Sequence, residues 1–365
     1  MLVVTVVHTP LDARIHHRQI RAMRLAGWSV TYAAPFTATG TDPGEVVPGT
    51  AVCDLPRASG RRRLTALRAA RRLLAREAPG HDVVLLHDPE LLLAARGLVG
   101  RRPVVLDVHE DLATTVEERD YLPGWARRPL AWVVTRSERW AEEHVALLLA
   151  EERYQDRFRR THPVIRNVPW AAMPPAESIP ASRDAVVYVG RLSRARGAAE
   201  LLELGRRFSA DGGPRLELVG PADADVVDAL RQADARGDVR WYGFVPNDRA
   251  LGQVRGALAG LSLLHDTPNY RVSLPTKILE YASLGVPIIS TPLPEARTLL
   301  ERHGGGIVVG FGDVAAVAAA VTRLRSDAAY RARLAAEALE LARSRSWEQE
   351  SQRFLAELRA VVRAG

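Results

Sequence analysis

A chain of 365 residues with 47% hydrophobic residues, a net charge of +7 and an isoelectric point near 10.0 is long enough for two globular domains, each with its own core. Its single cysteine, Cys53, excludes an internal disulfide and fits a reducing compartment; no stretch reaches the length of a membrane span and MLVVTVVH reads as a strand, so a cytoplasmic protein is expected. The positive charge is spread out, and without zinc-finger spacing, an RNP-like aromatic strand or a basic helix-turn-helix it points away from nucleic acid and toward phosphate-bearing substrates or an anionic surface.

Apolar runs alternate with amphipathic helices from the start. LVVTVVH is a first strand, LDARIHHRQIRAMRLAG a helix ending at Gly27, and WSVTYAA a second strand. DVVLLHD and PVVLDVHED are strands with charge at their C-terminal ends, and VALLLAEE and PVIRNV complete the half. This pattern predicts a parallel, doubly wound α/β sheet covered on both faces, which binds ligands beyond the carboxyl ends of its strands. His8, His87, Asp88, His109 and Glu110 are therefore expected along one edge. For His8 and His87 the competing reading is a histidine that satisfies backbone groups, and His16 and His17 are either solvated or face an acceptor. Arg57 to Arg76 is a basic helix with Leu64, Leu67, Leu73 and Leu74 interleaved. Either its leucines face the core above a solvated arginine face, or it makes a peripheral contact with an anionic membrane. Trp125, Trp132 and Trp140 are expected to pack.

The stretch NVPWAAMPPAESIPASRD, with four prolines and no periodicity, has linker chemistry. A second alternation follows through AVVYVGR, LELVG, VRWYGFV, LAGLSLLHD, VPIIS and GGIVVGF. The expected organisation is a Rossmann-like domain over residues 1–168, a linker over 169–184, a second Rossmann-like domain over 185–345 and a helix over 346–365 that crosses back to the first domain. Two such domains would face each other across a cleft, the default active site.

Chemistry concentrates in DTPNYRVSLPTKILEYASLGVPIISTPLPE. The spacing predicts a helix from Leu274 to Leu284 stopped at Gly285, then a buried strand and a proline-started helix from Leu293 to Arg302. Lys277 and Glu280, three apart, share a face of the first helix. A carboxylate there suits the paired hydroxyls of a ribose, and an ammonium suits a diphosphate. Lys277 is the single lysine among the fifty Lys and Arg residues, and a compact ammonium differs from a planar guanidinium. Upstream, GRLSRARG places Gly190, Arg191 and Arg196 at a helix entrance, where two guanidiniums suit a diphosphate or are simply loop arginines. Asp266 and Asn269 precede the central helix, either reaching a substrate or shaping a turn.

GRLSRARG, SLPTKILEYASLGVPIIS with Pro294 and Glu295, and the opening HTPLDARIHHRQIRAMRLAGWSV with HDPELL and LDVHED together resemble a GT-B glycosyltransferase of family 4 over nearly the whole chain. The resemblance implies a nucleotide-sugar co-substrate (UDP- or GDP-linked) held mainly by the C-terminal domain and a hydroxyl acceptor held mainly by the N-terminal one. It further implies transfer with retention at the anomeric carbon and no obligatory metal or other cofactor. It assigns Arg191 and Arg196 to the diphosphate, Glu280 to the ribose and His109 to the sugar hydroxyls. Gly190, Asp266, Asn269, Lys277 and Glu295 join the donor site, and Arg14 and His16 are expected on the acceptor. The family's first glutamate falls at Val272, and Ser273, Thr276 or nearby backbone amides stand in its place. Arg191, Arg196, Lys277 and His109 are the expected catalytic groups. Other chemistry on the same architecture is nucleotide-sugar epimerisation or hydrolysis, and Val272 also admits a catalytically silent nucleotide-sugar-binding protein.

Overall fold

The computed structural model describes residues 1–109, 124–170, 183–271 and 273–364; Glu110, Val272, most of the expected linker and the side chains of Trp125 and Asn269 lie outside the described residues. The chain forms two compact units, one of Met1–Asn167 with Trp347–Gly365 and one of Val168–Ser346. No helix among the described residues is long and apolar enough to cross a membrane.

The first unit is a parallel sheet of β1 (Leu2–Val4), β2 (Thr31–Ala34), β3 (Ala51–Asp54), β4 (Val84–Leu86), β5 (Val104–Val108) and β6 (Ala146–Leu149), in the order β3-β2-β1-β4-β5-β6. The central strands are buried on both faces, which is why they read as continuous apolar runs. Among the described residues edge strand β3 pairs only with β2, and it keeps Val52 exposed, so it lacks that run and has no strand signature in the sequence. PVIRNV, expected as a strand, makes a single bridge from Val164 to Leu149. Pro163 brings no N–H to extend the ladder.

The first helix departs from expectation in its opening turns. The Asp12 carboxylate accepts hydrogen bonds from the Arg14 and Ile15 amides at 2.8 and 3.0 Å. Ile15–Ile20 then winds as a π-helix before Arg21–Leu25 continues as an α-helix, and Gly27 ends it at φ 80°. The basic helix is Arg63–Glu77; it buries Ala66, Ala70, Leu73 and Leu74, leaves Leu64 65% exposed and turns Arg68, Arg71 and Arg72 outward. Trp132 is exposed, against the expectation of packing, whereas Trp140 stacks with His144.

The final helix, Trp347–Ala364, belongs to this same unit. Trp347 and Phe354 are fully buried, and the Trp347 indole donates to the Arg18 carbonyl at 3.0 Å. Glu350 accepts from Arg166 at 2.9 Å. Burying Phe354 alone contributes about 1.5–3 kcal/mol, which gives this amphipathic segment a reason to return to the first unit.

The second unit repeats the plan with β7 (Ala185–Val189), β8 (Arg215–Val219), β9 (Arg240–Trp241), β10 (Ala259–Ser262), β11 (Ile288–Ser290) and β12 (Gly306–Val308), ordered β12-β11-β10-β7-β8-β9. In both sheets the first strand lies between the second and the fourth. The order therefore reverses at β1/β4 and at β7/β10, and beyond their carboxyl ends a doubly wound sheet binds its ligands.

The central helix runs over Thr276–Ser283. It is shorter than expected at its start because Leu274 precedes Pro275, a position that disfavours helical backbone, and Gly285 follows it at φ 64°. Every residue from Lys277 to Ser283 is buried. Tyr281 fixes its depth: the hydroxyl accepts from the Val189 amide at 2.9 Å and donates to the Leu261 carbonyl at 3.2 Å. The helix after β11 is Pro294–His303, with proline at its first position as expected.

Candidate active site

The first unit gathers its titratable groups at the ends of β1, β4 and β5. Asp107 is their centre. Placed by strand alternation in an otherwise apolar β5, its carboxylate accepts from Arg14 Nε and Nη2 at 2.7 and 2.6 Å, and from Gln19 Nε2 at 3.0 Å. Arg14 Nη1 donates to the Ile165 carbonyl at 3.0 Å. Burial would raise the Asp107 carboxyl, but Arg14 and the neighbouring histidines outweigh it and hold it well below the usual carboxylate range.

Two histidines approach this pair, and a third, His8, lies against one of them. His87 Nδ1 lies 3.3 Å and His109 Nδ1 3.4 Å from Asp107 Oδ2. His109 Nδ1 also lies 3.0 Å from the Asp107 carbonyl, and its Nε2 lies 3.1 Å from His8 Nε2. Burial lowers His87 despite Asp107. For His109 burial acts in the same direction, yet Asp107 and Asp12 overcome it and raise the imidazole. Asp88 accepts from the Thr5 hydroxyl at 3.0 Å and from the Val6 and Val7 amides at 2.5 and 3.2 Å, closing the base of the cluster.

The donor atoms of His87, Asp107 and His109 lie within 4.8 Å of one another. Both Asp107 oxygens are already committed to Arg14, and one of them to Gln19 as well. The residues present thus fit a charge-clamped carboxylate better than a metal centre.

The expected edge of His8, His87, Asp88 and His109 is assembled in one place. Arg14, expected on an acceptor, is buried against Asp107, and His16 Nε2 accepts from the Val47 amide at 3.0 Å. Asp107 carries no motif of its own in the sequence, although a lone aspartate within VVLDV signals a buried carboxylate in need of a counter-charge.

The second unit's cluster lies beyond β7. Gly190 turns the chain at φ 125°, and Gly220, at φ 141°, packs so closely that a Cβ there would lie 2.1 Å from the Gly190 oxygen. Lys277 comes up from the central helix beneath this turn, 5% exposed. A Cβ on Gly190 would sit 3.3 Å from its Nζ. The ammonium lies 3.5 Å from the centroid of the Tyr188 ring and has no hydrogen-bond partner among the described residues. Burial, then Arg196, hold its pKa well below the usual lysine value, and Glu280 opposes them.

Arg196 donates from Nε to the Tyr270 hydroxyl at 3.1 Å. Glu280 is buried one turn along from Lys277, on the same helix. Arg191 lies apart, exposed and paired through Nε with Asp223 at 2.5 Å. Asp266 holds Arg271 through two bonds of 2.5 and 2.8 Å. Ser273 and Thr276 are half-buried at the helix entrance, and Glu295 is exposed in the first turn of its helix. His265, which stands in no motif of the sequence, ends the β10 run and lies 2.8 Å from Glu200 Oε1 through Nε2.

One buried ammonium, Lys277, with the half-buried Arg196 near it beside a glycine turn at a sheet's switch point, has the chemistry of an anion seat. The profile described as glycosyl transferases group 1 matches residues 183–327, and that described as a glycosyl transferase 4-like domain matches residues 13–154. Sucrose-phosphate synthase from Thermosynechococcus elongatus is similar at a TM-score of 0.73 and 18% identity, over 100% of this chain and 99% of that one. HepE from Anabaena, solved in complex with UDP-glucose, reaches 0.69 at 15% identity over 98% of each chain. WaaG, a glycosyltransferase involved in lipopolysaccharide biosynthesis, reaches 0.67 at 12% identity over 96% of this chain and 97% of that one. No curated protein sequence matches the chain.

Proposed function

The chain belongs to the GT-B glycosyltransferases of the family-4 type, and from that premise we propose that it moves a sugar from a UDP- or GDP-linked donor to a hydroxyl of a glycan, glycolipid or natural product, with retention at the anomeric carbon. The donor's diphosphate sits on the second unit and the acceptor on the first. The observation that carries the reading is Lys277, whose buried ammonium beside the Gly190 turn has no hydrogen-bond partner among the described residues. A buried ammonium held that way invites an anion.

In this reading Lys277 and Arg196 bind the diphosphate, and Arg191 joins them by exchanging Asp223 for phosphate. As the glycosidic bond breaks, negative charge builds on the departing oxygens. Fixed cations in a water-poor site stabilise that charge more in the transition state than in the ground state. The departing phosphate accepts the acceptor's proton on the same face, which leaves no need for a separate general base. Glu280 takes the ribose hydroxyls, Ser273 and Thr276 flank the phosphates, and Gly190 gives them room. Asp266 and Glu295 serve the donor's outer side. His109, raised by Asp107 and Asp12, offers a hydrogen bond to the sugar, His16 belongs to the acceptor side, and Arg14 acts there only through the Asp107 carboxylate that it holds.

The test is calorimetric titration with UDP, GDP and their glucose conjugates, on the wild type and on Lys277→Met. A nucleoside diphosphate should bind the wild type, and the substitution should weaken it about ten- to a hundred-fold, the range for a charge-assisted contact. Equal binding by both proteins removes Lys277 from the site. With the donor identified, the anomeric configuration of the product, read by NMR coupling constants, decides retention, and an inverted product refutes it.

A further inference from the structure

Lys277 raises a question that its own chemistry does not answer: what keeps a buried ammonium in place when no described oxygen accepts its protons. Asp266 is taken up by Arg271 and Asp223 by Arg191. Arg196, a second cation, pushes Lys277 away rather than holding it, and Glu280, whose charge attracts it, accepts no hydrogen bond from it. What lies directly against Nζ is the face of Tyr188, with 3.5 Å from nitrogen to ring centroid.

The ring is itself held. Tyr188 is fully buried in β7, two residues before the glycine turn, and its hydroxyl donates to the Arg191 carbonyl at 2.8 Å. One side chain is thus bonded to the turn at its tip and to the ammonium through its face. An aromatic face attracts a cation through its quadrupole, strongly so where water is excluded, yet accepts none of its hydrogen bonds in the way an oxygen would. A carboxylate in the same place would occupy the N–H donors and compete with an incoming anion. The ring fixes the position of the charge and leaves the donors unspent.

We infer that Tyr188 is a positioning residue for the transfer reaction: it seats the Lys277 ammonium beneath the Gly190–Arg191 turn and presents it, with its donors unspent, to the diphosphate of the donor. This rests on the reading that Lys277 binds that diphosphate. A sequence reader sees Tyr188 only as part of a buried strand, AVVYV, because nothing local distinguishes a tyrosine that packs from one that carries a cation on its face.

Two substitutions separate the face from the hydroxyl, and a third separates this inference from the reading beneath it. The full-length protein and its Tyr188→Phe, Tyr188→Leu, Lys277→Met and Tyr188→Leu/Lys277→Met variants are titrated with UDP and GDP, and in parallel with uridine and guanosine, which lack phosphate. Tyr188→Phe keeps the face and should bind the nucleoside diphosphate within about two-fold of wild type. Tyr188→Leu should lose roughly ten-fold, the scale of a desolvated cation–π contact, while nucleoside binding stays unchanged. In the Lys277→Met background Tyr188→Leu should cost nothing further, since a residue acting through Lys277 has nothing left to position.

A Tyr188→Leu loss that is equally large without Lys277, or that extends to the nucleosides, makes Tyr188 a packing residue and overturns the inference. So does a Tyr188→Phe loss equal to that of Tyr188→Leu, which would assign the effect to the hydroxyl tie. If Lys277→Met binds as well as wild type, the donor reading fails and the inference goes with it. If Lys277→Met is impaired and Tyr188→Leu is not, only the inference fails.

Discussion

Replacing Arg14 with methionine isolates the pair that holds the first unit's edge together. The two side chains are 2% and 0% exposed, and they share bonds of 2.7 and 2.6 Å. Methionine keeps most of the apolar stem and removes every donor. The Ile165 carbonyl is then unserved, and Asp107 retains Gln19 at 3.0 Å and the two histidines. Removing one partner of a buried ion pair costs about 3–5 kcal/mol, because the other charge stays buried without its complement. The loss should therefore be of that size at pH 7. Its pH dependence has a definite sign. In the wild type the folded-state pKa of Asp107 is depressed, so its contribution is complete above the unfolded value of about 3.9 and fades as the pH falls toward the folded value. In Arg14→Met the uncompensated carboxylate takes up a proton at a higher pH, so the gap between the two proteins should narrow as the solution is acidified. Urea unfolding at several pH values measures the gap. Hydrogen exchange in β5 places it in the first unit, which is needed because a two-unit chain need not unfold in one step. A variant within about 1 kcal/mol of wild type at pH 7, or a gap that widens in acid, would refute the argument and return Arg14 to the acceptor side.

Three further outcomes are expected. Side-chain NMR titration should find His109 above and His87 below the ordinary histidine value of about 6.5. His109 then stabilises the fold below that value and loses its contribution as pH rises through its folded pKa. His87 does the reverse, destabilising the fold as pH drops below it, and the opposite order of the two titrations contradicts the assignment. Gly220→Ala, whose Cβ would meet the Gly190 oxygen at 2.1 Å on a backbone of φ 141°, should lower thermal stability by at least about 2 kcal/mol, and an unchanged melting temperature would mean the turn is not close-packed. Glu280→Gln should weaken nucleoside diphosphate binding roughly ten-fold or more without disturbing inorganic pyrophosphate, since it is read as the ribose acceptor; equal loss for both ligands would place Glu280 on the phosphates.

The sequence made some of this legible for definite reasons. Strands buried on both faces have no polar alternation to hide them, so β1, β4, β5, β7 and β10 stand out, and the polar residues closing them, His8, His87, Asp88 and His109, fall where the sheet's edge must be. Gly285 stops the central helix by backbone chemistry alone, whereas its start is read too early, at Leu274 rather than Thr276, because Pro275 keeps the residue before it out of helical backbone. What stayed hidden depends on partners far along the chain. Asp107 finds Arg14 across 93 residues, and neither position reveals the other without the fold. The same limit assigned Arg14 to the acceptor. Edge strand β3 escaped because pairing on one side leaves its pattern mixed, and the π-helical start at Ile15–Ile20 has no spacing signature distinct from an α-helix.

The membership of Trp347–Ala364 in the first unit sets an order of events during synthesis. The first unit receives its closing helix only after Val168–Ser346 has been made, and at roughly 5–20 residues per second that interval is on the order of ten seconds or longer. Until then the Arg18 carbonyl that accepts the Trp347 indole, and the apolar surface that Phe354 and Leu358 will cover, face the surroundings. The second unit has no such wait, being one uninterrupted run of chain. A nascent protein should therefore mature out of sequence, the later-made unit first, and chaperones should linger on the earlier one.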